Sequence, residues 1–294
     1  MLRRTEQRNP LSVGLDKKSA REILELIYEE DQTAGMALQH ALPEITRAAK
    51  RFAEVFQSGG RIFTVGAGTS GRLGVADCAE LIPTFSVDPG RVIGIIAGGY
   101  GALHAPAEGA EDDVSAVLGQ VQFHRIEPKD LVIGISAGGR TPFVVAFLRE
   151  ARVQNISTVG IFNVSPCPLM DYSEIAVFLD TGPEILTGST RMKAGTAQKR
   201  VLHMISTAAM VQCGKTYDNL MVDLRPGSYK LKERALAILM EFSDKPENEL
   251  LSLLDSVNYD VKVAILIVRL NINSEEARWR LDRAGGVLRK ALEK

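Results

Sequence analysis

Five short, near-continuous apolar runs punctuate the middle of the chain: RIFTVG at 61–66, RVIGIIA at 91–97, DLVIGIS at 130–136, STVGIF at 157–162 and IAVFLD at 175–180. Strands of this kind have no polar face to turn towards water, and helical stretches separate most of them. That combination predicts a mostly parallel sheet covered on both faces, a doubly wound α/β architecture. Upstream, apolar residues recur at spacings of three and four from Ser19 to about Gln57, which predicts two or three amphipathic helices, with Pro43 fitting a helix start. Downstream, TRMKAGTAQKRVLHMISTAAMVQCGK reads as one long helix closed by Gly214. From about Ala235 the pattern is wholly helical, and the breaks SDKPEN and NINSEE divide it into three short segments. The expected organisation is an N-terminal helical segment at 1–55, an α/β domain at 56–234 and a small three-helix domain at 235–294.

In an open parallel sheet, ligands bind at the carboxyl ends of the strands, so the loops leaving them carry the function. The first, in VGAGTSGRLGVADCAE, places Gly66, Gly68 and Gly71 in a G-x-G-x-x-G pattern after a strand and before a helix. A dinucleotide site also expects an acidic residue closing the second strand. RVIGIIA is instead followed by GGYGALHA, and Asp88 precedes that strand. Thr69 and Ser70 put hydroxyls where the amides of a helix N-terminus converge on an anion, which favours a phosphate ester. The second loop, SAGGRTP, supplies Ser136, Gly139, Arg140 and Thr141; the third, LTGSTRMKAGTAQK, supplies Ser189, with Glu184 just before it. Three loops combining glycine with hydroxyls form a sugar-phosphate style of site. The expected phosphate ligands are Thr69, Ser70, Ser136 and Thr141 with the amides of Gly68 and Gly139, and Arg72, Arg140, Arg191 and Lys193 are candidate charge partners.

Composition removes other classes. A formal charge of −1 over 294 residues, with scattered basic residues, gives no field for nucleic acid. The polar N-terminal stretch MLRRTEQRNPLSVGLDKKSA lacks the apolar core of a signal peptide, and no apolar run approaches about 18 residues, so a cytoplasmic protein without membrane contact is expected. Cys78, Cys167 and Cys213 lie too far apart for C-x-x-C motifs and read as structural thiols. His40, His104, His124 and His203 show no metal-ligand spacing, so no metal is expected; His203, in an apolar helical run, reads as a core or interface residue.

These motifs bring the chain into a recognisable group. It resembles the sugar isomerase (SIS) fold and, within it, the N-acetylmuramic acid 6-phosphate etherases, relatives of the glucokinase regulatory protein. The resemblance runs from about Leu26 to the C-terminal LDRAGGVLRKALEK, and is carried most specifically by GAGTSGRLGVADCAE, AEGAEDD, GGRTPFVVA, TGSTRMKAGTAQK and NLMVDL. It implies a cytoplasmic homodimer with sites at the subunit interface, acting on a phosphorylated amino sugar without any cofactor, and a C-terminal three-helix domain of the ubiquitin-associated type. The family's two catalytic glutamates match Glu80 in DCAELIPTF and Glu111 in AEGAEDD, read here as acid and base. Two departures stand out: ELIPTFS replaces the usual ECPPTYG, and AGGRT replaces ASGRT, so that Gly138 takes the place of a serine. Two rival functions share the phosphosugar site: a non-catalytic sensor that regulates a partner enzyme, and an isomerase using Glu184 with a histidine such as His104.

Overall fold

The computed structural model describes residues 4–224 and 227–293. The first three residues of the expected N-terminal segment and the last residue of the C-terminal motif lie outside that range. The chain forms two compact units: Met1–Cys78 with Gly90–Ser206, and Ala79–Pro89 with Thr207–Lys294.

The first unit opens with short 3-10 turns and then α1, a single 38-residue helix at Ala20–Gln57. The two or three helices expected here are therefore one. Ser19 and Glu22 form a reciprocal capping box at its start, and Pro43 sits inside it rather than at a beginning. An interior proline costs about 3 kcal/mol. Leu38, Ile45, Phe52 and Val55 are buried along one face of the helix, and at about 1.5–3 kcal/mol for each fully buried large side chain they outweigh that cost. Burial along the face decides continuity here, and the local breaker does not.

The five strands follow as expected: β1 at Ile62–Gly66, β2 at Val92–Ile96, β3 at Leu131–Ile135, β4 at Ser157–Phe162 and β5 at Ile175–Phe178. All four pairings are parallel, and the order is β2-β1-β3-β4-β5. Every residue of β1, β3 and β4 is buried, whereas the edge strand β5 alternates. The helices between them are α2 at Gly68–Phe85, α3 at Ala116–His124, α4 at Pro142–Val153 and α5 at Pro168–Asp171, and α6 at Lys193–Gln212 follows β5. Phe63, Val132, Phe147, Leu148 and Phe162 lie in one apolar core of strand and helix side chains. The chain leaves β1 towards β2 and returns on the other side to β3, so the topological switch falls between β1 and β3, where ligands bind in such sheets.

The second unit holds α7 at Tyr229–Met240, α8 at Glu247–Ser256, α9 at Val261–Leu270, α10 at Ser274–Arg283 and α11 at Leu288–Glu293. Three segments expected from the periodicity become five helices because two stops lack the polar clusters that mark the others. Asn258 and Tyr259 both adopt left-handed backbone angles after α8, and Gly285 and Gly286 do so after α10. Asp260 then caps α9, accepting from the Val263 amide at 3.1 Å. The motif NLMVDL acquires a structural role: Asp223 accepts from Lys262 and Lys215, each at 2.8 Å. Buried Lys262 also donates to the carbonyls of Gly214 and Gly286, so the charge is paired and fully engaged. Among the described residues no helix is long and apolar enough to cross a membrane.

Candidate active site

The loop after β1 turns directly into α2. A Cβ on Gly66 would lie 2.6 Å from the Gly71 amide nitrogen, and one on Gly71 would lie 2.8 Å from the Gly66 carbonyl. The tight turn therefore demands two glycines facing each other, and it leaves the first amides of α2 without helical partners and pointed at the switch crevice. In the loop after β3, Gly139 has φ +63, and a Cβ there would come within 2.3 Å of Cys167 Sγ. Ser136 is buried and shares a 2.8 Å hydrogen bond with Thr141, the residue before α4. Arg140 is exposed.

The third loop is built around two buried ionic groups. Glu184, 1% exposed, accepts the amides of Lys193 at 3.2 Å and Ala194 at 3.0 Å, capping α6 with both carboxylate oxygens. Burial raises its pKa above the ordinary carboxylate value, with those two amides opposing the shift. Lys193 pairs with Glu30 of α1 at 2.5 Å, and Asn9 donates to the same carboxylate at 2.6 Å. Lys193 is thus spent within the fold rather than offered to a ligand. Ser189 is half-buried in the turn that leads into α6, its amide donating to the Leu186 carbonyl at 2.9 Å.

A buried polar relay joins the loops, and two of its members were not anticipated. Ser70 Oγ donates to Gln198 Oε1 at 2.8 Å, Gln198 Nε2 donates to Asn163 Oδ1 at 2.9 Å, and Asn163 Nδ2 donates to the Leu179 carbonyl at 3.0 Å. The Asn163 amide in turn donates to the carbonyl of Ala137 in the second loop at 2.9 Å. Gln198 lies on α6, so all three loops are tied to one chain of hydrogen bonds. The signal was present as a polar Asn at the carboxyl end of an otherwise apolar strand, GIFN. Thr69 packs alongside, its Cγ2 lying 3.5 Å from where a Cβ on Gly195 would stand.

Beside the N-terminus of α2 opens a cavity of about 260 Å³, lined by Gly68, Arg72, Ala97, Glu108 and Glu111 among others. Of the residues anticipated from sequence, Gly68, Arg72 and Glu111 line this cavity; Ser136, Gly139, Arg140, Thr141, Glu184 and Ser189 belong to the neighbouring loops. Glu80 is exposed on α2, in the portion that belongs to the second unit. One turn before it, Asp77 is buried, accepts from Ser206 Oγ at 3.3 Å and lies 3.7 Å from His203 Nε2. Burial raises the Asp77 pKa, against the opposing effects of His203 and Ser206. His203, expected in a core or interface, is half exposed on the single chain. Cys78 is buried and its thiol pushed up to about 12 by loss of solvent, an inert structural thiol.

The N-terminal SIS domain of glucokinase regulatory protein matches residues 44–152, and the SIS domain matches 115–208. Together they span the sheet and all three loops. The N-acetylmuramic acid 6-phosphate etherase of Geobacillus sp. (strain WCH70) is 45% identical over 289 residues, 98% of each chain. The chain belongs to the N-acetylmuramic acid 6-phosphate etherase family. A second member, from Shouchella clausii (strain KSM-K16), is 44% identical over 99% of this chain and 98% of its own. Among solved structures, a phosphoheptose isomerase from Francisella tularensis aligns with 66% of this chain and all of its own at 15% identity and a TM-score of 0.47.

Proposed function

We propose that this chain cleaves the D-lactyl ether of N-acetylmuramic acid 6-phosphate, giving N-acetylglucosamine 6-phosphate and D-lactate, as a cytoplasmic homodimer whose sites lie at the subunit interface. Near-full-length identity to etherases of that name supports the substrate. The observation that carries the chemistry is the cavity in which a carboxyl, Glu111, faces the amide-rich start of α2 at Gly68. The Gly68 amide, with Thr69, Ser136, Arg140 and Thr141, forms the phosphate end of the site, and Ser189 closes its rim; Gly139 and Ser70, expected as ligands, shape it instead, since the Gly139 amide donates to the Ser136 carbonyl at 3.0 Å and the Ser70 hydroxyl to Gln198. Ser70, whose proton is directed to Gln198, keeps its lone pairs and positions the turn.

An alkyl ether resists hydrolysis, but this one lies β to the aldehyde of the open-chain sugar, whose carbonyl acidifies the C2 hydrogen. Glu111 removes that proton, and the C3–O bond breaks as Glu80 delivers a proton to the departing lactyl oxygen. Water then adds at C3 of the unsaturated aldehyde, and a proton returns to C2. The net change is addition of water across the ether, with no redox step and no cofactor. Each proton transfer typically contributes about 10²–10⁴-fold. Glu184 stays structural, because both its oxygens cap α6.

Lactate release from N-acetylmuramic acid 6-phosphate tests this reading. We expect Glu80→Gln and Glu111→Gln to lower kcat by about 10²–10⁴ while still binding the sugar. Turnover in deuterated, ¹⁸O-labelled water places deuterium at C2 and the heavy oxygen at C3 of the sugar. Label in the lactate instead places the cleaved bond on the lactyl side and ends the elimination mechanism. A wild-type protein that binds the sugar and releases no lactate is a sensor.

A further inference from the structure

The substrate proposed above carries two anionic groups, a phosphate on C6 and a carboxylate on the lactyl ether. The phosphate has three loops of amides and hydroxyls to meet it. Among the described residues lining the cavity, Arg72 is the one cation, accompanied by the carboxyls of Glu108 and Glu111. We propose that Arg72 binds the lactyl carboxylate, and so is the residue that distinguishes the muramic acid substrate from sugar phosphates lacking that group. This rests on the etherase reading for the identity of the ligand.

The guanidinium is held rather than loose. Its Nε donates to the Leu103 carbonyl at 3.2 Å and its Nη2 to the Ala105 carbonyl at 3.4 Å, which fixes the plane of the group through two points of the segment wrapped around it. A guanidinium has five N–H donors, so these two bonds leave three, both on Nη1 and one on Nη2. Neither Glu108 nor Glu111, which share the cavity, lies within ion-pair distance of it among the described residues. A pre-oriented guanidinium with N–H groups to spare is suited to a two-pronged carboxylate. Its position on α2 fits the division of labour. Four residues beyond Gly68, it stands about 6 Å along the helix from the amides assigned to phosphate, and it shares the cavity with Glu111, the base assigned to C2. A carboxylate drawn to Arg72 therefore sets C2, next to the ether-bearing C3, beside that base.

The test crosses ligand with residue. Binding of N-acetylmuramic acid 6-phosphate, of its lactyl primary amide and of N-acetylglucosamine 6-phosphate is measured by calorimetry on wild type, Arg72→Met and Arg72→Lys, with the lactate-release KM alongside. We expect Arg72→Met to weaken the acid about 10- to 100-fold, the loss of charge-assisted hydrogen bonds, and to leave N-acetylglucosamine 6-phosphate within about threefold. Arg72→Lys, which keeps charge but not the fork, falls between. Wild type discriminates against the amide by the same factor, and Arg72→Met does not. The wild-type arm stands even if the variants fail to fold, since Arg72 also tethers Leu103 and Ala105. Equal weakening of all three ligands assigns Arg72 to the phosphate or to the fold, and a wild type indifferent to amidation leaves the carboxylate unread; either overturns the proposal. A wild type that favours the acid over the amide without releasing lactate supports the carboxylate contact while removing the etherase reading.

Discussion

A side chain added at Gly138 meets nothing within 4 Å, and its backbone is not left-handed. The serine usual in the family therefore fits without strain, and its hydroxyl adds one donor to the loop assigned to phosphate. We expect Gly138→Ser to lower the KM for the phosphosugar about 10- to 100-fold, the value of a hydrogen bond to a charged group, read from lactate-release kinetics. Stability should stay within about 0.5 kcal/mol of wild type by chemical denaturation. The next residue behaves oppositely. Gly139→Ala puts a Cβ into both a left-handed backbone and the Cys167 sulfur, so a loss of about 1–3 kcal/mol is expected, seen as a lowered Tm. At this scale the sequence was legible where the backbone alone decides, as at the facing glycines Gly66 and Gly71, and silent where partners decide. Nothing in the string TSG tells that the Ser70 proton goes to a glutamine 128 positions away.

Among the elements, the five strands were legible because burial on both faces leaves short unbroken runs rich in Val and Ile, whose length and β-branched content separate them from buried helices. Pro43 was misread as a helix start because a local breaker was weighed without the packing along α1 that overrides it, and the stop at Asn258 and Tyr259 was missed because no marked polar cluster announces it. The start of α6 offers a direct test of such packing. Glu184 caps this helix while buried, and its pKa lies above the ordinary 4.5. The native state therefore binds a proton there more tightly than the unfolded chain. Stability contributed by this group is present below about pH 4.5 and is lost as pH rises through the raised value. Urea unfolding of wild type and Glu184→Gln across pH 4–8 should show their difference moving in the variant's favour with rising pH, then levelling. A constant difference ends the argument. Asp77, raised by burial as well, contributes with the same sign to both proteins and cancels in the comparison. On the same helix, Gln198→Leu leaves Ser70 and Asn163 buried without their partner. A cost of about 2–4 kcal/mol in denaturation follows, with a raised KM because two loops lose their tie.

For the whole molecule, the parallel sheet follows from the alternation of strands and helices, whereas its strand order does not, and the environment of the two glutamates does not follow from one chain at all. Glu80 and Glu111 are both exposed on it. A carboxyl that hands a proton to a leaving oxygen at neutral pH has to hold that proton first, which takes desolvation or a neighbouring negative charge. We propose that the interface site draws Glu80 from one subunit and Glu111 from the second copy. In a twofold dimer the consequence is countable. When Glu80→Gln and Glu111→Gln subunits are mixed, a heterodimer carries both substitutions in one site and neither in the other. Random exchange makes about half the dimers mixed, each with one intact site, so two inactive proteins should together recover about a quarter of wild-type lactate release. If both glutamates of a site come from the same subunit, every site in the mixture lacks one carboxyl and no activity returns. Sedimentation of the unmixed variants as dimers is the control, since a monomer in either sample removes the shared-site arrangement before the mixture is assayed.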